Sequence, residues 1–214
     1  AAEVVEAMAP YWSEEWGNPS SRQHRLGLTA SAAVNLARRQ IADALAVTPQ
    51  QLVFTSGATE ANNLALLGHA RARGSGHLIS VATEHHAVLD PLQQLQREGF
   101  SVTLLTPGPE GLITPEQLRQ AITPETQLVS VMAANNEIGV LQPLTALAAV
   151  CRDHGVTLHS DAAQAFGHIP LEPDALGVDL MSLSAHKLYG PKGVGALVIR
   201  DGIALQPLQW GGGQ

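Results

Sequence analysis

Cysteine occurs once in the 214 residues, at Cys151, so no internal disulfide is available and a reducing compartment, the cytoplasm, is expected. Charge is sparse: 14% of residues are charged, against ~25% in ordinary soluble domains, which predicts that further chain or a second subunit covers part of the surface. No Lys/Arg cluster exceeds the pair Arg38-Arg39 and the net charge is -7, so no nucleic-acid footprint is visible. No apolar run approaches the ~18 residues of a membrane span, and Glu3 and Glu6 stand where a signal peptide would be basic and then apolar, so no membrane association is expected. The sequence has no Gly-Lys-Ser/Thr phosphate loop, no dinucleotide Gly-x-Gly-x-x-Gly fingerprint, no His-Glu-x-x-His and no paired Cys ligands, which leaves no motif for a metal. An initiator Met is missing and the chain stops at Gly211-Gly212-Gly213-Gln214, so it is expected to be a segment of a longer protein.

What is present is enough apolar sequence, 45%, to bury a core. Short β-rich runs alternate with helix-like stretches, the signature of an α/β fold. Strands are predicted at Leu52–Thr55, His77–Val81, Ser101–Leu105, Gln127–Met132, Val156–Ser160, Leu180–Ser184 and Ala196–Ile199. Helices are predicted at Ala58–Arg73, Ala87–Glu98, Thr114–Ala121 and Leu144–His154, with Val4–Trp16 and the strongly amphipathic Thr29–Leu45 upstream. Strands nearly continuous in Val, Ile and Leu imply a mostly parallel seven-stranded sheet covered by helices on both faces. In such sheets ligands sit at the carboxyl ends of the strands, so the polar residues that follow each strand are the candidate site.

After the first strand, Ser56-Gly57-Ala58-Thr59-Glu60 opens directly into a helix, so backbone N–H groups and the Thr59 hydroxyl face one point beside a positive helix end. This reads either as a phosphate cradle or as a glycine turn with Thr59 as cap. After the second, His85 in Thr83-Glu84-His85-His86 is placed to stack on a planar cofactor and carry protons, or simply to start a helix. Asn135-Asn136-Glu137-Ile138-Gly139 follows the fourth strand, with amides able to donate to a phenolic oxygen or a carboxylate. Asp161 and Gln164 follow the fifth; Asp161 reads as a helix cap or as a carboxylate that favours a protonated pyridine ring. After the sixth, Lys187 in Ser184-Ala185-His186-Lys187-Leu188-Tyr189-Gly190-Pro191 is an imine-forming lysine whose basicity burial and His186 are expected to lower, with Ser184 and His186 in reach of a phosphate. Lys192, in Gly190-Pro191-Lys192-Gly193, reads as a solvated loop charge. Together these groups meet the needs of pyridoxal 5'-phosphate (PLP).

The motifs Gly17-Asn18-Pro19-Ser20-Ser21, Phe54-Thr55-Ser56-Gly57-Ala58-Thr59-Glu60, Thr83-Glu84-His85, Asn135-Asn136-Glu137-Ile138-Gly139, Asp161-Ala162-Ala163-Gln164, Ser184-Ala185-His186-Lys187 with Tyr189-Gly190-Pro191-Lys192-Gly193, and Gly211-Gly212-Gly213-Gln214 occur in one order. By these the sequence resembles the cysteine desulfurases of the NifS/IscS type, in the class V aminotransferase group of PLP enzymes. The resemblance implies residues 1–214 as a large PLP-binding domain of the aspartate-aminotransferase-like kind, incomplete at its N-terminus, with the C-terminal small domain absent. It implies that Ala58 and Thr59 bind the phosphate with Ser184 and His186, that His85 stacks on the ring and acts in proton transfer, and that Asn136 and Gln164 bond the phenolic oxygen. It implies, too, that Asp161 pairs with the ring nitrogen and that Lys187 forms the imine and shuttles a proton. The implied reaction converts L-cysteine to L-alanine and passes sulfur, as an enzyme persulfide, to an acceptor protein for iron–sulfur clusters or thio-cofactors, in a homodimer. The catalytic cysteine and the arginine for the substrate carboxylate would lie outside the chain, so the chain alone is expected to be inactive. Cys151 shares a helix face with Leu144, Leu147 and Ala148 and is expected to be buried and inert. Another class V PLP enzyme, notably a selenocysteine lyase, and a non-catalytic PLP- or phosphate-binding module are the competing readings.

Overall fold

The computed structural model describes residues 1–211. A seven-stranded sheet forms the centre: β1 (Leu52–Thr55), β2 (His77–Val81), β3 (Ser101–Leu105), β4 (Thr126–Ser130), β5 (Thr157–Asp161), β6 (Leu180–Ser184) and β7 (Gly195–Ile199). Its spatial order is β1-β7-β6-β5-β4-β2-β3. Strands β3, β2, β4, β5 and β6 pair in parallel, while β7 runs antiparallel to both β6 and β1.

Successive side chains of a strand point to opposite faces, and the core divides accordingly. Leu78, Leu128, Leu180 and Leu197 pack on one face with Leu66 and Leu92, from α4 (Ala58–Arg73) and α5 (His86–Arg97). Their sequence neighbours Ile79, Val129, Met181 and Val198 pack on the other with Leu118 and Leu147, from α6 (Pro115–Ala121) and α7 (Leu144–Asp153). Each fully buried Leu contributes about 1.5–3 kcal/mol relative to exposure. Both faces need apolar side chains, which is why β2, β4, β5 and β6 are buried along their whole length.

Several boundaries differ from expectation. The single helix expected over Val4–Trp16 is two, Ala2–Met8 (α1) and Pro10–Ser13 (α2), because Pro10 has no N–H to continue the first. The helix expected from Thr29 begins at Arg25 (α3, Arg25–Leu45), where His24 Nδ1 accepts from the Gly27 N–H at 3.1 Å. Strand β4 ends at Ser130 rather than Met132, since the Met132 N–H donates to the Glu84 carboxylate. A short helix, Pro173–Leu176 (α8), was not expected. Among the described residues no helix is long and apolar enough to cross a membrane.

Candidate active site

Thr55, Val81, Ser130, Asp161 and Ser184 end five parallel-oriented strands on one edge of the sheet. Above that edge lies a cavity of about 470 Å³. All nine residues singled out in the sequence line it: Ala58, Thr59, His85, Asn136, Asp161, Gln164, Ser184, His186 and Lys187.

Helix α4 starts at the cavity wall. Its cap residue Gly57 carries no side-chain hydrogen bond to the first turn, so the leading N–H groups of Ala58, Thr59 and Glu60 have no intrahelical partner. Gly57 adopts φ +155° and ψ -179°, a backbone region open in practice to glycine alone. Gly195 of β7 packs directly beneath it: a Cβ there would lie 2.6 Å from Gly57 Cα and 2.5 Å from the Leu183 carbonyl oxygen. The two glycines let the helix start sit down on the sheet edge. The Ser56 N–H is already taken by the Glu60 carboxylate at 2.6 Å, and of the three unpaired leading residues Ala58 and Thr59 line the cavity. On the facing strand end, Ser184 is buried and its Oγ lies 2.8 Å from His186 Nδ1, so both side chains point to the same corner of the cavity.

Asp161 is 7% exposed. Its Oδ1 accepts from the Ala163 N–H at 2.9 Å and its Oδ2 from Asn62 Nδ2 at 2.6 Å. Burial pushes this carboxyl above the ordinary aspartate range; the Ala163 N–H, the Asn62 amide and nearby His85 work in the opposite direction. Glu84, buried just outside the cavity, is pushed well above the usual glutamate range, first by burial and then by the like charge of Asp161, with the Met132 N–H opposing. Its second oxygen, Oε2, has no partner among the described residues.

His85 serves as the cap of α5 as well as lining the cavity. Its Nδ1 accepts from the Ala87 N–H at 3.0 Å, so Nε2 is the nitrogen left to hold or release a proton. The Asn pair divides its labour. Buried Asn135 shapes the turn, donating to the Thr83 carbonyl at 3.0 Å and accepting from the Glu137 and Ile138 N–H groups, while Asn136 is exposed at the cavity wall.

One expectation needs correction. Lys187 is exposed, so the burial expected to lower its basicity is not provided by this chain. Lys192 is exposed as expected, yet it lines the same cavity with Gly193, because antiparallel β7 brings the residues before it to the carboxyl edge of β6. The sequence marks Lys192 as a loop charge and not as a cavity residue. It also missed Asn62, for which no local motif gives a signal, and gave Glu84 no role. Of the Gly211-Gly212-Gly213-Gln214 motif, residues 212–214 lie outside the described residues.

The donor set suits a phosphorylated pyridine aldehyde. It offers a helix start and hydroxyls for a dianion, a buried carboxylate with spare acceptor capacity for a ring N–H, an imidazole for the ring face and a primary amine for the aldehyde. The chain is similar to known proteins along its whole length. The mitochondrial cysteine desulfurase of Eremothecium gossypii is 48% identical over 215 residues, covering 99% of this chain and 44% of that protein. The cysteine desulfurase IscS of Rickettsia felis is likewise 48% identical, covering 99% and 52%. A solved structure described as SspA in complex with cysteine superposes with a TM-score of 0.97 at 44% identity, over 100% of this chain and 62% of that one. The chain thus spans about half the length of the curated relatives it matches. The family pattern described as aminotransferase class-V matches residues 1–214 from end to end, and the chain belongs to that family.

Proposed function

We propose that residues 1–214 form the cofactor-binding part of a PLP-dependent cysteine desulfurase. The observation that carries this is the convergence of nine separately predicted residues, from five strand ends, on one cavity. When bound, PLP supplies an electron sink conjugated to the amino group of its substrate. The Ala58 and Thr59 N–H groups, the Thr59 and Ser184 hydroxyls and His186 hold the phosphate. His85 covers the ring face and moves a proton at Nε2, the nitrogen left free by its cap bond. Asn136 and Gln164 direct amides to the phenolic oxygen. Asp161 faces the ring nitrogen, whose positive charge offsets the burial that disfavours the free carboxylate. The Lys187 amine holds the aldehyde and moves the proton of the substrate α carbon.

L-cysteine as substrate is supported by the names of the relatives and by the cysteine in the SspA complex. The sulfur-accepting thiol belongs to another part of the protein, because Cys151 is buried, and an acceptor protein takes the sulfur onward. Exposed Trp12 (69%), Trp16 (68%) and Leu28 (55%) support coverage by further chain or by a second copy, as in a homodimer. A free thiol supports a cytoplasmic location. Borohydride reduction of the PLP-loaded protein, followed by peptide mapping, should leave the pyridoxyl mass on Lys187. Label on Lys192, the second amine of the cavity, would overturn the assignment.

A further inference from the structure

Asn62 and Asp161 are 99 residues apart in sequence, yet the Asn62 amide donates to the Asp161 carboxylate at 2.6 Å. Both are buried, Asn62 at 0% exposure. Asn62 stands four residues after Ala58, one turn along α4 and on the same side of it. Ala61, Ala65 and Leu66 of the same helix are likewise buried, and the Asn62 Oδ1 has no partner among the described residues. A buried amide left half unpaired costs about 1–3 kcal/mol, which an apolar side chain of the same shape would avoid. The position is therefore poorly explained by stability.

The carboxylate it touches is held at both oxygens, by Ala163 N–H on Oδ1 and Asn62 on Oδ2. Two donors on different oxygens, from different elements, fix the plane of the carboxylate. A carboxylate has about four lone-pair sites, so capacity remains for a third donor from the cavity. Ala163 is local to Asp161 and can only tether it to its own turn. Asn62 ties it to the helix whose first turn forms the anion cradle.

We propose that Asn62 is a positioning residue, which orients Asp161 toward the ring nitrogen of the cofactor and holds that contact in register with the phosphate anchor. This rests on the PLP reading of the cavity. It acts through Asp161 and touches no reacting atom.

The test compares two ligands in the full-length protein, by visible-absorbance titration: PLP and its analogue with the ring nitrogen replaced by C–H. Asn62→Leu should weaken PLP binding by roughly tenfold or more, the range of a hydrogen bond to a charged group, while changing affinity for the analogue by less than about threefold. Asn62→Ala, which also removes the donor, should show the same selectivity. In an Asp161→Asn background, Asn62→Leu should add almost nothing to the PLP loss. Equal losses for both ligands, or no loss for either, would overturn the proposal, as would loss of the folded state by circular dichroism in both variants, which would assign Asn62 to the core. Failure of the unsubstituted protein to bind PLP would instead remove the functional reading beneath it.

Discussion

Cys151 shows how placement at one or the other edge of the sheet decides what a nucleophilic atom can do. The thiol is 1% exposed on α7, and burial, followed by the negative charge of Asp179, pushes its pKa up to about 12. At neutral pH it carries no reactive thiolate. It lies near Gly155 and Thr157, at the start of β5, whereas the cavity opens at Asp161, where β5 ends. Five residues of strand separate the two edges by about 13 Å. Cys151→Ala should therefore cost about 1 kcal/mol of stability from the lost packing and leave sulfur release from L-cysteine unchanged. Iodoacetamide labelling should reach Cys151 of the native protein only at the rate of unfolding. Rapid labelling of the folded chain, or loss of sulfur release with normal PLP content, would show that the thiol participates.

At the scale of elements, the decisive contact is the seat of α4 on β7. A Cβ on Gly195 would meet backbone on two sides, Gly57 Cα and the Leu183 carbonyl, and backbone cannot turn away as a side chain can. Gly195→Ala should destabilise by about 1–3 kcal/mol, measured by urea unfolding, and should weaken PLP binding because it lifts the cradle from the sheet. Unchanged PLP affinity in that variant would detach the glycine from the site. This contact was not legible beforehand, since a buried apolar run carries no sign of strand direction and Gly195 becomes a site residue only because β7 is antiparallel. By contrast β1, β2, β3, β6 and α4 have the predicted bounds, because Gly, Pro or charged residues flank each apolar run. The nine cavity residues were legible for a related reason: each sits at a strand end or in the turn beyond it, where local sequence and ligand position coincide. Asn62 was not, because within α4 it is one polar residue beside another, Asn63, and its partner is supplied only by the fold.

The whole molecule carries its acid sensitivity in the middle of the sheet. His159 on β5 lies 2.8 Å from Ser130 Oγ on β4 through Nδ1 and 3.0 Å from Ser182 Oγ on β6 through Nε2, a chain across three adjacent strands. A neutral imidazole, with one donor and one acceptor nitrogen, completes that chain; an imidazolium would be a desolvated cation. Burial, and then His69, lowers the His159 pKa to about 3, and burial followed by Arg73 lowers that of His69 to about 4. Both folded values lie below the unfolded value of 6.5. The unfolded chain therefore binds protons that the native chain refuses, and stability that is complete above pH 6.5 falls as the pH drops through the window down to about 4 for His69 and about 3 for His159. Each histidine contributes a slope of about 1.4 kcal/mol per pH unit inside its window. Buried Glu84 and Asp161 have raised values and so act with the opposite sign, favouring the native state on acidification. Absolute curves mix the two signs, and a difference between variants separates them. His159→Gln keeps the hydrogen-bonding chain but cannot take a proton. Urea midpoints of the two proteins, followed from pH 7 to pH 4, should show the variant losing less stability per pH unit, by about the slope of one proton. Parallel curves would mean that His159 is protonated within the native sheet.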